Sequence, residues 1–342
     1  MTEISPQASH RIAFIDDLRI YGMFMIVGVH ALGRTQLSES MEAVIAFIVG
    51  TVAVPIFFLA DGFLFAFYQA GSQALDYKRY VLKSIYRLLV PWISFSFLYA
   101  ILRLVLEYLG YLHDRVVIGN GPIGFLSAMY FSLAAPQMYF LLSLFFVRML
   151  ACFYKKLLEH PALWSLLTFF AYLIIFRNVD VKSYFFPGAD PLLLALWGLQ
   201  FYLLGMVLCR LHDTVLCTAV WLFVVGGAVF IGCKIYRPEY SAVIQYTYLI
   251  TVYAMSLILT RRFPAAPKLA RYNMGIYLLH TPIILSLVSL ALGKVLDKTH
   301  ILYFTAITVT TFVLSAIAAR GIANTPHVRM VLGEKSSVLV TR

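Results

Sequence analysis

An arginine and a histidine stand eleven residues apart in a strongly apolar stretch, FIDDLRIYGMFMIVGVHA, which covers residues 14–31. If this stretch is an α-helix, Arg19 and His30 point within about 20° of each other, about 16 Å apart along the axis. Asp16 precedes Arg19 by three residues and shares its face. Arginine binds anionic groups through several donors, and the unperturbed pKa of histidine suits a general base near neutrality. This face predicts an anion-binding group at one end and a base at the other.

The composition indicates which elements position these residues. Of the 342 residues, 61% are hydrophobic and only 13% are charged, whereas a soluble domain is about half apolar and about a quarter charged. Apolar runs of the length that crosses a bilayer recur along the chain. We therefore predict an all-α fold, a polytopic integral membrane bundle of about ten transmembrane helices. The predicted spans are Phe14–Gly33, Met41–Tyr68, Ile85–Leu109, Met138–Tyr154, Leu163–Phe176, Pro191–Leu208, Val215–Cys233, Ala242–Leu259, Gly275–Leu292 and Leu302–Ala318.

The loop charges predict the orientation of these spans. Most Lys and Arg residues outside the spans fall on one side if the N-terminus is cytoplasmic, as the positive-inside rule requires. We predict a cytoplasmic tail over residues 1–13, a transmembrane domain over 14–319 and a second cytoplasmic tail over 320–342. The net charge of +11 is spread over loops, so we expect membrane lipids and no nucleic acid as partners. The shorter apolar run 125–134 predicts an interfacial or re-entrant segment.

Other ionisable residues within the predicted spans are candidates for function, because such groups are costly in lipid. Asp61 lies in an apolar run and needs a partner, for which Arg19 and His30 are the candidates. Arg103 and Glu107 are four residues apart and form either a structural ion pair or part of a cavity lining. His280 either lines the same pocket as His30 or is packed and hydrogen-bonded.

Several segments, in order along the chain, resemble the membrane-bound acyltransferase 3 family. The first span has the family's arginine, ten further residues and a histidine, here Arg19 and His30. Asp61 stands where the family usually has serine, and Tyr139 where it usually has tryptophan. The other matching segments are VPIFFLADGFLFAF (54–67), KRYVLKSIYRLLVPW (78–92), QMYFLLSLFFVRML (137–150), FYLLGMVL (201–208) and YNMGIYLLHTPII (272–284).

The resemblance implies transfer of an acyl group, commonly acetyl, from a coenzyme A thioester to a hydroxyl, often on a cell-surface carbohydrate or glycolipid. It also implies the bacterial inner membrane, with no metal and with acyl-CoA as the donor. The predicted catalytic residues are His30 as general base, Arg19 as stabiliser of the donor or its carbonyl, and Asp61. The predicted donor-binding residues are Arg87, Lys83 and Arg79, and the predicted pocket residues are Asp16, Arg103, Glu107, Tyr139, Tyr277 and His280.

A function of another class stays open from the sequence. An intramembrane set of Asp, Arg and His within many helices also suits a proton-coupled transporter or a lipid flippase. We find no inverted repeat in the sequence that favours it.

Overall fold

The computed structural model describes residues 12–70, 76–150, 153, 159–178, 190–236, 241–262, 267–325 and 329–333. All regular elements within these ranges are helical, which confirms the predicted all-α class. The helices are α1 Ala13–Leu32, α2 Glu39–Ala70, α3 Tyr77–Ser84, α4 Val90–Tyr108, α5 Gly121–Tyr130, α6 Tyr139–Met149, α7 Pro161–Asn178, α8 Pro191–Arg210, α9 His212–Tyr236, α10 Ser241–Arg262, α11 Pro267–Ala270, α12 Asn273–Leu279, α13 Leu285–Leu292 and α14 Ile301–Ala323.

Seven helical segments in the described chain are long and apolar enough to cross a membrane. They are Glu39–Gln69, Tyr77–Tyr108, Pro191–Arg210, His212–Cys233, Ala242–Thr260, Asn273–Leu292 and Ile301–Ala323. These helices indicate an integral membrane protein. The predicted number of about ten transmembrane helices stays a prediction. Helix α1 is 20 residues long but carries three charged residues near its start. Of the predicted span Met138–Tyr154, the described part forms the 11-residue α6, and its end lies outside the described residues.

The basic segment before the third predicted span is helical rather than a loop. Helix α3 begins at Tyr77, where the Asp76 side chain accepts a hydrogen bond of 3.0 Å from the Arg79 backbone N–H. This cap satisfies a donor that the first turn of a helix leaves free. A π-helical turn, Ile85–Leu89, joins α3 directly to α4. The span predicted to start at Ile85 thus continues a helix that starts eight residues earlier. Residues 125–130 of the run predicted to be interfacial form the second part of α5, and the ten residues of this helix are too few to cross a bilayer.

Helices α2 and α8 approach each other closely at two glycines. A Cβ added to Gly62 would lie 1.9 Å from the Tyr202 carbonyl oxygen, and one added to Gly205 would lie 2.0 Å from the Leu59 carbonyl oxygen. Only glycine allows this separation, as in other membrane helix pairs that pack through small residues. Because Asp61 adjoins Gly62, this contact fixes the carboxylate on α2 within the bundle.

The helix that carries His280 is kinked, and side chains complete its hydrogen bonds. A π-helical turn, His280–Ile284, separates α12 from α13, with non-helical backbone angles at Thr281. The Tyr99 hydroxyl donates to the Leu278 carbonyl at 2.6 Å, and Gln137 Nε2 donates to the Thr281 carbonyl at 2.6 Å. Backbone groups freed inside a membrane helix need such partners. These contacts hold the kink, and therefore His280, in a defined position.

Candidate functional site

Asp61 is the centre of a buried group of charges at one end of the bundle. Arg148 donates to both carboxylate oxygens of Asp61, from Nε to Oδ2 at 2.7 Å and from Nη2 to Oδ1. Arg19 Nη2 lies 3.8 Å from Asp61 Oδ1. Asp61 and Arg148 are both buried. A two-pronged contact of this kind is the strongest arrangement of arginine and carboxylate, and it neutralises charges that burial would otherwise penalise.

A third arginine joins this group without a direct contact to the carboxylate. Arg87, in the π-helical turn before α4, lies close enough to Arg148, Arg19 and Asp61 to interact electrostatically with each of them. Its side chain is exposed, so it is the accessible member of the group. We name Arg19, Arg87 and Arg148 around Asp61 the arginine cluster. Three guanidinium groups beside one carboxylate leave an excess of positive charge that suits an anionic ligand.

The arginine cluster lies where four elements meet at the same end of the bundle. Arg19 is near the start of α1 and Asp61 near the end of α2. Arg87 is in the π-helical turn that leads into α4, and Arg148 is at the end of α6. Because successive spans cross the membrane in opposite directions, these positions share one side. That this side faces the cytoplasm stays a prediction from the loop charges.

Two histidines meet towards the opposite end of α1. The ring centroids of His30 and His280 are 5.2 Å apart. His280 Nδ1 lies 2.8 Å from the Tyr277 carbonyl oxygen and 3.1 Å from the Ile276 carbonyl oxygen. Since a carbonyl oxygen only accepts, Nδ1 carries the proton and neutral His280 keeps the lone pair on Nε2. His280 is fully buried, whereas His30 is partly exposed. We name these two residues the histidine pair.

Helix α1 separates the two groups by a known distance. It is helical from Ala13 to Leu32, so Arg19 and His30 share a face and lie about 16 Å apart along the axis. Arg34 Nη2 donates to Ser286 Oγ at 3.1 Å just past the end of α1. Contacts of His30 with His280 and of Arg34 with Ser286 show that α1 and the kinked helix run in the same direction. The site therefore has a cationic end, a histidine end and one continuous face between them.

A comparison with protein-family models gives a match over nearly all of this region. The model described as an acyltransferase domain, acyltransferase 3, matches residues 12–320. The chain belongs to the acyltransferase 3 family. A search of curated proteins and a search of solved structures each find no match to the chain.

In this acyltransferase-family chain, the sequence offers two candidate partners for Asp61, Arg19 and His30, and one of them is observed. Among the described residues, the Asp61 carboxylate contacts Arg19, as the sequence predicts, and not His30. Its principal partner, Arg148, is not among the site residues that the sequence analysis predicts. The signal was available, since Arg148 lies within the apolar run LFFVRML and an arginine there needs a counter-ion as much as Asp61 does.

The three predicted donor-binding cations are not equivalent in the acyltransferase fold. Arg87 belongs to the arginine cluster. Lys83 and Arg79 lie on exposed positions of α3, about one and two turns before Arg87, respectively. Asp16 lies beside Arg19, close enough to interact with it electrostatically. Arg87 is therefore the member of the predicted set with the geometry for a ligand that also reaches Arg19.

Arg103 and Glu107 form the structural ion pair that the sequence left as one alternative. Arg103 Nε donates to Glu107 Oε1 at 2.9 Å, and Arg103 Nη2 donates to Asp114 Oδ2 at 2.6 Å. Glu107 also accepts from the backbone N–H groups of Val117 and Ile118, each at 3.0 Å. These bonds tie the chain that follows α4 to the helix. Their position in a substrate pocket stays a prediction.

Tyr139 and Tyr277 lie beside the histidine pair. The Tyr277 hydroxyl donates to the Gln137 backbone carbonyl, and its ring centroid is 6.1 Å from that of His280. Tyr139 is close enough to Tyr277 to interact with it electrostatically. The sequence predicts both tyrosines in the pocket. It does not predict Gln137, because an amide in the connection before α6 carries no periodic signal.

An open cleft lies beyond the histidine pair, at the end of the bundle opposite the arginine cluster. It includes the turn after α1 and the side of α13 that faces it, and it is lined by Gly33, Arg34, Thr35, Gln36, Ser286, Ser289, Leu290 and Lys298. Arg34 is four residues after His30, about 6 Å further along the axis. The cleft thus opens close to the accessible histidine.

Proposed function

We propose that the chain transfers an acyl group, acetyl in the simplest case, from a cytoplasmic acyl-CoA to a hydroxyl of a cell-surface or envelope carbohydrate. The observation that carries the proposal is the single face of α1 in a family of acyltransferases, with the arginine cluster at one end and the histidine pair at the other. An acyl-CoA needs cations for its phosphates and a base near its thioester. The two ends of this face supply these two requirements at separate places.

The arginine cluster is the proposed site for the phosphates of coenzyme A. Arg148 is held by Asp61, while Arg87 is exposed and Arg19 retains 20% of its side-chain surface. Arginine binds phosphate through paired N–H donors. We assign Arg19 to the phosphates rather than to the thioester carbonyl. It lies about 16 Å from His30 along α1, beyond the reach of its side chain to a carbonyl that reacts there.

His30 is the proposed general base. Its ring is partly exposed, and within the described residues it forms no hydrogen bond that would occupy a nitrogen. The unperturbed pKa of histidine lies near neutrality, so the ring can accept and return a proton. The hydroxyl of the acceptor gives its proton to His30 as its oxygen bonds to the acyl carbon. The carbon–sulfur bond then breaks, and the departing thiolate takes the proton from His30, which returns the ring to its neutral form.

The direct test is an acyl-transfer assay with membranes that contain the protein and radiolabelled acetyl-CoA. Label that enters the carbohydrate fraction, with a matching mass increase of surface glycans, supports the proposal. Absence of label from every acceptor fraction, with carbohydrate moved across the membrane unmodified, would instead identify a transporter. Membranes from a strain that lacks the protein are the control.

Arg87→Gln is expected to raise the KM for acetyl-CoA about tenfold or more, with little change in kcat. The KM rises because the variant lacks charge-assisted hydrogen bonds to phosphate, which are the stronger class of hydrogen bond. Arg87→Lys should recover part of the affinity, because lysine keeps the charge without the paired donors. Steady-state kinetics at two salt concentrations measure the effect. Arg79→Gln, an exposed arginine two turns earlier, is the matched control, and an equal effect at both positions would remove Arg87 from the proposed donor site.

The geometry also predicts that donor and acceptor are used from opposite sides of the membrane. In sealed inverted vesicles, acetyl-CoA added outside reaches the arginine cluster, and we expect labelled carbohydrate to appear in the lumen. Extraction of lumenal and external carbohydrate before and after permeabilisation separates the two compartments. Vesicles of the opposite orientation provide the control. Label found only on the donor side would contradict this arrangement.

A further inference from the structure

One face of α12 carries polar groups that the proposed chemistry does not use. At 100° per residue, Asn273, Tyr277 and His280 lie within about 60° of one another. Gly275 points to the opposite side, where a Cβ would lie 2.5 Å from the Ala319 Cβ on α14. Tyr277 turns its ring towards Phe140 of α6, at 5.7 Å between centroids, and His280 turns towards His30 of α1. This face is therefore directed to the interior between α1 and α6.

Two amides at this face have polar atoms without a partner. Asn273 is 9% exposed, and neither its Nδ2 nor its Oδ1 forms a hydrogen bond with the described residues. Gln137 is 2% exposed, and its Oε1 is equally unpartnered while its Nε2 is used at the kink. Unpaired amide groups are costly in an interior, and more so in a membrane protein. A ligand that supplies the missing donor and acceptors satisfies both amides.

Asn273 lies between the two ends of the proposed site. It precedes His280 by seven residues, about 10 Å along the axis, on a helix that runs in the same direction as α1. On α1, Arg19 likewise precedes His30, by about 16 Å along the axis. A ligand that joins the arginine cluster to the histidine pair therefore passes Asn273 first and then the region of Gln137 and Tyr277.

We propose that Asn273 and Gln137 bind the amides of the pantetheine arm of the acyl donor. This inference rests on the proposed function, since it takes acyl-CoA as the donor. Pantetheine is a linear chain with two amide groups between the phosphate end and the sulfur. One pantetheine amide matches the donor and acceptor of the Asn273 side chain, and an N–H of the other matches Gln137 Oε1. The arm is thus held so that the thioester arrives at the histidine pair.

The test measures binding of two probes that cannot transfer an acyl group, S-ethyl pantetheine and S-ethyl coenzyme A. Asn273→Leu removes the amide at nearly constant volume, and we expect it to weaken binding of both probes about tenfold, the size typical of a lost hydrogen-bonding partner. Arg87→Gln should weaken S-ethyl coenzyme A and leave S-ethyl pantetheine unchanged. Titration of the detergent-purified full-length protein by calorimetry, or by displacement of a labelled probe, gives both constants.

The stability of the variant separates binding from a structural role. Asn273→Leu should unfold at the same temperature as the wild type or higher, because a buried, unpaired amide is replaced by an apolar group. Tyr253→Phe is the matched control, since it also removes a buried, unpartnered polar group, the hydroxyl of Tyr253 on α10. This variant should bind both probes normally. Wild-type affinity of Asn273→Leu for S-ethyl pantetheine would overturn the inference and leave the donor site intact. If the wild type binds neither probe, acyl-CoA is the wrong donor and both proposals fall.

Discussion

His30→Ala is expected to lower the rate of acyl transfer by about 10²–10⁴-fold, the usual contribution of a positioned general base. The acceptor hydroxyl is a poor nucleophile unless its proton is removed as it attacks the thioester. His30 is the accessible ring of the histidine pair, and it lies next to the cleft in which Arg34 contacts Ser286. His280 is not expected to replace it, because its ring is fully buried.

The loss should appear in kcat and leave donor binding unchanged, since the arginine cluster lies about 16 Å away along α1. Initial rates with labelled acetyl-CoA, together with a separate binding titration with S-ethyl coenzyme A, measure the two quantities. His113→Ala provides the control, because His113 is exposed in the segment after α4. If His30→Ala keeps wild-type activity, the base is elsewhere and the assignment of the histidine end fails.

Asp61→Asn is expected to destabilise the folded protein by about 3–5 kcal/mol, as is typical when one partner of a buried ion pair is removed. The amide cannot neutralise Arg148, and it leaves Arg19, Arg87 and Arg148 as like charges close together. Repulsion in a medium of low polarity is poorly screened. We therefore expect a lower thermal midpoint and a lower yield of folded protein in detergent, before any question of activity.

A matched surface pair shows whether burial is the cause. Arg103 and Asp114 form an ion pair of 2.6 Å, comparable in length with the Arg148–Asp61 contacts, but the Asp114 side chain is 66% exposed. Asp114→Asn should change the stability by about 0–1 kcal/mol, the range of exposed pairs. Thermal unfolding of both variants in one detergent provides the comparison. If both substitutions lower the stability by the same small amount, Asp61 is solvated. The arginine cluster would then be open to water rather than buried.

The sequence predicts well those features that depend on local geometry. The relation of Arg19 to His30 follows from the spacing alone, because α1 is an uninterrupted helix. The pairing of Arg103 with Glu107 follows from the same rule at four residues. In both cases the partners lie on one helix, so the number of residues between them fixes the geometry.

Features that join distant helices were not accessible from the sequence. Arg148 meets Asp61 across 87 residues, and no periodicity relates two helices to each other. The role of Asn273 depends on which way α12 faces, which is set by the contact of Gly275 with Ala319. The kink at His280 breaks the 3.6-residue repeat on which such predictions rest. The number of spans is similarly difficult, because α1 is apolar and 20 residues long but also carries three charged residues near its start.

The charges on α1 have a consequence for how the protein enters the membrane. This helix carries Asp16, Asp17 and Arg19 near its start, and these three charged residues distinguish it from the seven evident spans. Its arginine meets a carboxylate on α2, and that carboxylate meets Arg148 only when α6 has been synthesised. Helix α1 thus depends on helices that follow it in the chain for the neutralisation of its arginine. We therefore expect stable integration of α1 to be complete only after α6 has been synthesised and the arginine cluster has formed.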